Sequence, residues 1–211
     1  MPTQTTNTAP ASEQAIAGLE LENRVVVFTD IVGSTALIEV HGDRAWIGTL
    51  TAHLEHAASQ ADRFGGEYMK TTGDGMLAVF EDCPAASAFA REMMSSPVGL
   101  QRLDNQLPVQ LRIGIACGTV YRWNDDYFGR TVHLAARVCG AAQPGEILMS
   151  ATCTEVCRDL LVSVEARRPV ELRGFSSLES VCTDSCRTGD CSSKARHAWP
   201  AIESAGGTDE N

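Results

Sequence analysis

The chain has 211 residues, of which 44% are hydrophobic, and a formal net charge of −10 at pH 7. Its length allows one substantial domain with tails, and its hydrophobic content is typical of a folded protein. The negative charge argues against a nucleic-acid-binding protein, which normally presents a basic surface, so an anionic ligand would need local donors or a metal ion.

The two ends of the chain differ in composition from its middle. Residues 1–22 are rich in Thr, Ala and Gln, and residues 183–211 are rich in Ser, Gly and Asp, so we predict a disordered N-terminal segment and a flexible C-terminal tail. The N terminus lacks the apolar core of a signal peptide, and no run approaches the roughly 18 apolar residues of a membrane helix. We therefore predict a cytoplasmic protein without a membrane partner, folded over residues 23–182.

Eight cysteines would suggest disulfides in a secreted protein, but nothing indicates export. We interpret most of them as reduced thiols, with Cys117 and Cys139 acting as small hydrophobic residues in apolar stretches. Cys186, Cys191 and His197 in the tail leave a metal site open as an alternative. Their spacing matches no familiar zinc pattern, so a flexible tail is the favoured interpretation.

The first half of the chain predicts strand, helix and hairpin in turn. "RVVVFT" (24–29) is typical of a buried strand, and Gly33 to Thr35 could open a helix. Apolar residues three and four apart from Trp46 to Phe64 predict a longer helix, which the two following glycines end. "EYMKTT" and "MLAVF" flank "GDG", which predicts a hairpin around Asp74.

The second half continues the alternation. We predict a helix over about Pro84–Met94, two strands in "VQLRIGIACGTVYR" that meet near Gly118, and a helix from Thr131 to Ala141. "EILMS" predicts another strand and "LVSVEARRPVELRG" a final hairpin. Helices between antiparallel strands indicate an α+β fold with helices packed on the sheet.

Asp30 directly follows the first predicted strand, and Asp74 lies in a tight turn between two strands. If these strands are neighbours, the carboxylates converge, and oxygen ligands of this kind suit Mg²⁺ or Mn²⁺. The amides of Gly33, Ser34 and Thr35 at a helix start would favour a phosphate, so the pattern indicates phosphoryl chemistry. An ordinary alternative stays open, with Asp30 as a helix N-cap and Asp74 as a turn residue.

The segment "DYFGRTVHLAARV" (126–138) places His133 and Arg137 one helical turn apart. They could present paired donors to an anion, although spacing alone favours a solvated face. The neighbouring face of the predicted helix is apolar and would pack inward; it comprises Val132, Ala135, Ala136 and Cys139.

Taken together, "FTDIVGST", "KTTGDGMLAVF", "RIGIACG" and "DYFGRTVHLAARV" resemble, in order and separation, the catalytic domain of class III nucleotidyl cyclases. The resemblance covers residues 22–182. It implies a ferredoxin-like cyclase fold with an antiparallel-rich sheet, which is active as a head-to-tail homodimer with sites at the interface. It also implies the chemistry, in which the ribose 3′-oxygen attacks the α-phosphorus and expels pyrophosphate.

The resemblance implies roles for individual residues. Asp30 and Asp74 match the two metal-binding aspartates, with the Ile31 carbonyl as a further ligand, for two Mg²⁺ or Mn²⁺ ions per site. Lys70 and Asp126 match the pair that reads adenine, whereas guanylyl enzymes carry different residues there. ATP is therefore the implied substrate.

Two arginines and one departure complete the implied site. Arg137 matches the arginine that stabilises charge in the transition state, and Arg173 lies where many members place a basic residue near the terminal phosphates. The carboxylates of one subunit would face Lys70, Asp126, His133 and Arg137 of the other. The family usually has asparagine where this chain has His133, and a histidine side chain is larger.

We therefore expect an adenylate cyclase that is active but slow, because one well-placed donor is worth about 2.7–4 kcal/mol of transition-state stabilisation. Two alternatives stay open. One is a catalytically weak cyclase-homology module that binds nucleotide or a regulatory partner, and the other is a guanylate cyclase.

Overall fold

A computed structural model describes residues 18–96, 109–156, 168–175 and 179–183. The predicted disordered segment up to residue 17, and the predicted tail from residue 184 with its two cysteines and His197, lie outside the described residues. Within the described ranges, no helix is long and apolar enough to cross a membrane.

Strands and helices alternate along the described chain, which confirms the α+β prediction. The strands are β1 (Glu20–Ile31), β2 (Glu67–Thr71), β3 (Met76–Phe80), β4 (Leu111–Trp123), β5 (Asp126–Phe128), β6 (Ile147–Ser150), β7 (Arg168–Val170) and β8 (Glu179–Thr183). The helices are α1 (Ser34–His41), α2 (Asp43–Arg63), α3 (Cys83–Ser95), α4 (Arg130–Ala141) and α5 (Ala151–Val156).

The strands form one sheet in the order β2-β3-β1-β4-β6-β8-β7, and β5 pairs with β4. Every pairing is antiparallel except that of β4 with β6, so the sheet is antiparallel-rich as expected. Its centre is the long β1–β4 pair, which runs in register from Glu20 opposite Arg122 to Ile31 opposite Leu111. This central pair positions Asp30 and the residues opposite it.

Both faces of the sheet are covered, because alternate strand residues point to opposite sides. On one face, Val25 and Val27 of β1 belong to a core that includes residues of α2, α3 and α5. On the other face, Val26 packs in a second core with Leu134 and Val138 of α4. The strand ends that carry polar side chains therefore belong to a sheet that is packed against a core on each face.

The prediction of two strands meeting near Gly118 is wrong. β4 is continuous through this position, where Gly118 pairs with Arg24 of β1. A Cβ atom on Gly118 would lie 2.9 Å from Oγ1 of Thr131, the second residue of α4. Glycine is therefore needed here because α4 crosses close to the strand, and not because the chain turns.

Two boundaries also differ from the sequence-based expectation. Residues 20–22, which composition assigned to the disordered segment, belong to β1 because they pair with β4. The first part of the predicted final hairpin, residues 161–167, lies outside the described residues. Its second part contains β7, which pairs with β8, a strand that the sequence analysis did not predict and that buries Cys182.

Candidate active site

The Asp30 and Asp74 carboxylates come together because β1 and β3 are antiparallel neighbours, with Thr29 opposite Met76. Asp74 lies in the turn that enters β3, and Gly75 follows it. A Cβ atom on Gly75 would fall 1.8 Å from the Thr29 carbonyl oxygen, so only glycine lets the turn lie against β1. The sequence predicts that the two carboxylates converge if their strands are neighbours. In the structure the strands are neighbours, and the side chains of Asp30 and Asp74 interact.

Arg112 supplies a positive charge beside these carboxylates. It stands opposite Asp30 in the β1–β4 register, and its Nε donates to Asp30 Oδ2 at 2.5 Å. The pKa of the Asp30 carboxyl is raised. Burial is the main cause and the neighbouring Asp74 adds to the rise, whereas the hydrogen bond from Arg112 lowers the pKa. Two adjacent, half-buried carboxylates repel each other when both are ionised, so a cation between them is stabilising.

The donor set at this strand end fits a hard divalent ion. Both side chains are carboxylates, which are the donors that Mg²⁺ and Mn²⁺ prefer. Ile31 has a buried side chain at the end of β1, so its backbone carbonyl is the group it can offer. The alternative in which Asp30 caps a helix is wrong, because Gly33 is the N-cap of α1.

Helix α1 starts where the sequence indicated. Gly33 adopts a left-handed conformation (φ 74°), which suits glycine, and Ser34 and Thr35 form the first turn. No side chain in the described chain caps this helix start. The amides of the first turn are therefore without side-chain acceptors, as the predicted phosphate role requires.

Lys70 and Asp126 form an ion pair although 56 positions separate them in the chain. The pair joins β2 to β5, which are not neighbours in the sheet, so the β4–β5 hairpin must reach back toward β2. The other Asp126 oxygen accepts a hydrogen bond from the Tyr127 amide at 2.9 Å. Lys70 is 47% exposed and Asp126 29%, so a ligand can still reach both groups.

A surface cavity of about 460 Å³ brings together His133 and Arg137 of α4 with Arg173. Arg130 also lines it; this residue pairs with Glu179 at 2.6 Å and stacks on the Phe175 ring at 4.7 Å. Within the described chain, neither Arg137 nor Arg173 has an ion-pair partner. Three arginines clustered on a chain with net charge −10 make a locally positive surface, which attracts anions.

Sequence reasoning missed Arg112 and Arg130. Arg112 is a charged residue inside the apolar run "LRIGI", which is a usable signal, but its partner depends on the β1–β4 register. Arg130 stands inside the motif that supplied His133 and Arg137, and its neighbours Glu179 and Phe175 come from a distant part of the chain.

Residues 19–183 match the adenylate and guanylate cyclase catalytic domain family. The chain belongs to this family. A pH-sensitive adenylate cyclase of Mycobacterium tuberculosis is 32% identical over 134 residues, which cover 64% of this chain and 32% of that relative. The chain spans about a third of the length of the curated relatives it matches.

Solved structures agree with the fold of this cyclase domain. The adenylyl cyclase CyaB from P. aeruginosa superposes with a TM-score of 0.70 at 25% identity, over 82% of this chain and 99% of that one. The guanylyl cyclase Cya2 superposes with a TM-score of 0.68 at 22% identity, over 79% and 93% of the two chains, which shows the shared fold. The predicted class III cyclase fold is therefore confirmed, and both nucleotide specificities occur among proteins with this fold.

Proposed function

We propose that this cyclase domain is an adenylate cyclase, which converts ATP to 3′,5′-cyclic AMP and pyrophosphate. The observation that carries the choice of ATP is the Lys70–Asp126 ion pair. Adenine offers an acceptor at N1 and a donor at its exocyclic amino group, which suit an ammonium donor and a carboxylate acceptor held side by side. The name of the mycobacterial relative supports the same choice.

Asp30, Asp74 and the Ile31 carbonyl are the proposed ligands of two Mg²⁺ or Mn²⁺ ions. Such ions, when bound, lower the pKa of a hydroxyl and neutralise phosphate charge. The supporting observation is the carboxylate pair itself, which is half-buried and adjacent and whose mutual repulsion a cation would relieve.

The remaining residues position the nucleotide. Arg137 would bind the oxygens of the reacting phosphate, Arg173 the terminal phosphates and His133 the ribose. The amides of Gly33 to Thr35 would donate to phosphate oxygens. The ribose 3′-oxygen forms a bond to the α-phosphorus as the bond to pyrophosphate breaks, and the hydroxyl proton leaves to solvent. Catalysis is then mainly positioning and electrostatic stabilisation.

The proposed active form is a head-to-tail homodimer. In it, Asp30 and Asp74 of one copy face Lys70, Asp126, His133 and Arg137 of a second copy. Exposed aromatic side chains on the β4–β5 hairpin, beside Asp126, support association; they are Tyr121, Trp123 and Phe128. A cluster of exposed aromatic residues is typical of an interaction surface.

A catalytically weak module that binds nucleotide or a regulatory partner is the second candidate. It is favoured by the Arg112–Asp30 ion pair, because Arg112 already compensates the charge that a metal ion would neutralise. The replacement of the usual asparagine by His133 points the same way. A guanylate cyclase is a third candidate and differs only in which purine is accepted.

The test is product formation by the purified protein with ATP or GTP and Mn²⁺. We expect cyclic AMP from the parent, and loss of product by about 10³-fold or more in Asp30→Ala, which removes a metal ligand. Asp62→Ala is the control, because Asp62 is exposed on α2 and is not one of the proposed site residues. His133→Asn should be faster than the parent.

Each other outcome selects a different candidate. Cyclic GMP as the main product would make the protein a guanylate cyclase. No product from the parent, with clear product from His133→Asn, would favour the regulatory module. Light scattering on the same samples tests the dimer, since a monomer with full activity would contradict shared sites.

A further inference from the structure

Three cysteine side chains from three separate elements meet in the core. Cys83 is the first residue of α3, Cys117 lies in β4, and Cys153 lies in α5. Their sulfur atoms all lie within 4.8 Å of one another, all three side chains are buried, and none of the three forms a disulfide. Treating Cys117 as an isolated small hydrophobic residue, as its apolar sequence context suggests, overlooks the other two sulfurs.

This cysteine cluster is separate from the carboxylate pair. Cys117 stands opposite Val25 in the β1–β4 register, and Asp30 lies five residues farther along β1. At ~3.4 Å per residue, that is about 17 Å. Val25 and Cys117 also belong to the core on the α2–α3 face, whereas Asp30, five positions away on an alternating strand, points to the opposite face. The cluster therefore has no part in the proposed phosphoryl chemistry.

The donor set defines the class of ion that fits. Thiolate sulfur is a soft ligand and selects Cu(I), zinc or iron–sulfur clusters over Mg²⁺. A structural zinc site needs four ligands, and in the described part of the chain no fourth His, Cys, Asp or Glu joins this group. Three sulfurs in a dry core suit an ion that accepts three-coordination.

The spacing also fits. Three sulfurs arranged in a plane around an ion, each about 2.3 Å from it, lie about 4.0 Å apart. The observed limit of 4.8 Å is within an ångström of this, so closure onto an ion needs small side-chain shifts and no movement of the sheet. Cys83 sits at the N terminus of α3, whose partial positive charge favours a thiolate.

We propose that Cys83, Cys117 and Cys153 form a three-sulfur site for a Cu(I) ion. Each coordinating thiol releases its proton to solvent as its S–Cu bond forms, and the ion, supplied as Cu(I), keeps its oxidation state. The ion would tie α3, β4 and α5 together from inside the core. Because the folded chain presents the site ready-made, binding would raise the temperature of unfolding.

The experiment uses the full chain with Cys157→Ser, Cys186→Ser and Cys191→Ser, which removes the thiols outside the described residues. The reduced protein is titrated with Cu(I) without oxygen against a coloured Cu(I) chelator, and X-ray absorption counts the sulfur ligands. We expect about one ion per chain with three sulfurs. Cys117→Ala in this background should weaken binding by about 100-fold or more, since even outer partners of metal ligands contribute ~10–100-fold.

Matched controls are Cys139→Ser and Cys182→Ser, which change buried free thiols outside the cluster and should leave Cu(I) affinity unaltered. The proposal is overturned by the absence of stoichiometric binding, by two or four sulfur ligands, or by unchanged affinity in Cys117→Ala. Circular dichroism checks the fold of that variant. If it does not fold, the sulfur count in the unsubstituted cluster decides, because that measurement requires no core substitution.

Discussion

The carboxylate pair and the basic cavity are built in different ways. Asp30 and Asp74 are brought together by backbone, through the β1–β3 pairing and the close approach of Gly75 to Thr29, and Arg112 balances part of their charge. The basic cavity is built from exposed side chains on one face of α4 together with Arg173. The carboxylates are thus positioned by backbone contacts, whereas His133, Arg137 and Arg173 have exposed side chains.

Arg137→Ala removes from the basic cavity the residue that is proposed to contact the reacting phosphate. We expect kcat to fall by ~10²–10³, the usual result of losing one transition-state donor. Steady-state kinetics with ATP and Mn²⁺ measure the change. Arg44→Ala, an exposed arginine on α2, is the matched control and should retain the parent rate. A fall of less than about fivefold in Arg137→Ala would remove Arg137 from the proposed chemistry.

Gly75→Ala disturbs the carboxylate pair through the backbone, without changing either carboxylate side chain. The added Cβ would meet the Thr29 carbonyl at 1.8 Å, so the turn must move and carry Asp74 with it. We expect the free energy of unfolding to fall by about 1–3 kcal/mol. Activity should fall by up to ~10²-fold, as expected for a misplacement of about 1 Å.

The matched control for this change is Gly48→Ala. Gly48 lies inside α2 with open space around its Cβ position, so alanine there should stabilise the helix by about 1 kcal/mol at most. Denaturant unfolding and initial rates are measured on both variants. Parent-like activity in Gly75→Ala would mean that the position of Asp74 is not set by this contact.

Asp126→Ala changes the Lys70–Asp126 pair that is proposed to bind the purine. It leaves the carboxylate pair and the basic cavity intact. A hydrogen bond to a charged group contributes ~1.5–3 kcal/mol, so kcat/KM for ATP should fall by about 10–100-fold. The neighbouring exposed residue provides the control, Asp125→Ala. If GTP turnover falls as much as ATP turnover, the pair does not select adenine.

Arg112→Gln tests the charge balance of the carboxylate pair and carries the smallest expected effect. Without the guanidinium, the metal ion has no competitor at Asp30, so half-maximal activity should need about fivefold less Mn²⁺, as expected for a partly exposed ion pair. Arg24→Gln breaks the comparable Arg24–Glu22 pair in β1 and should leave the metal requirement unchanged. A higher Mn²⁺ requirement in Arg112→Gln would show that Arg112 assists metal binding.

Much of the fold followed from local patterns. Hydrophobic periodicity predicted α2, α3 and α4, and the short β-branched and glycine-flanked runs predicted β1, β2 and β3, because these signals arise within one element. The same logic placed Asp30 and Asp74 at strand ends and His133 and Arg137 on one helix face. The strand break predicted at Gly118 was wrong because glycine signals both turns and close packing, and only Thr131 on the other side shows which applies.

The tertiary structure decided which distant residues meet. The sequence by itself determined where most helices and strands form and which of their faces are polar, because main-chain preferences and side-chain periodicity act within one element. The pairing of Arg112 with Asp30, the ion pair of Lys70 with Asp126, and the meeting of Cys83, Cys117 and Cys153 depend on strand register and on helices that cross the sheet. The distance between residues along the chain does not predict these contacts, because strand register and the packing of the sheet between its two cores determine them.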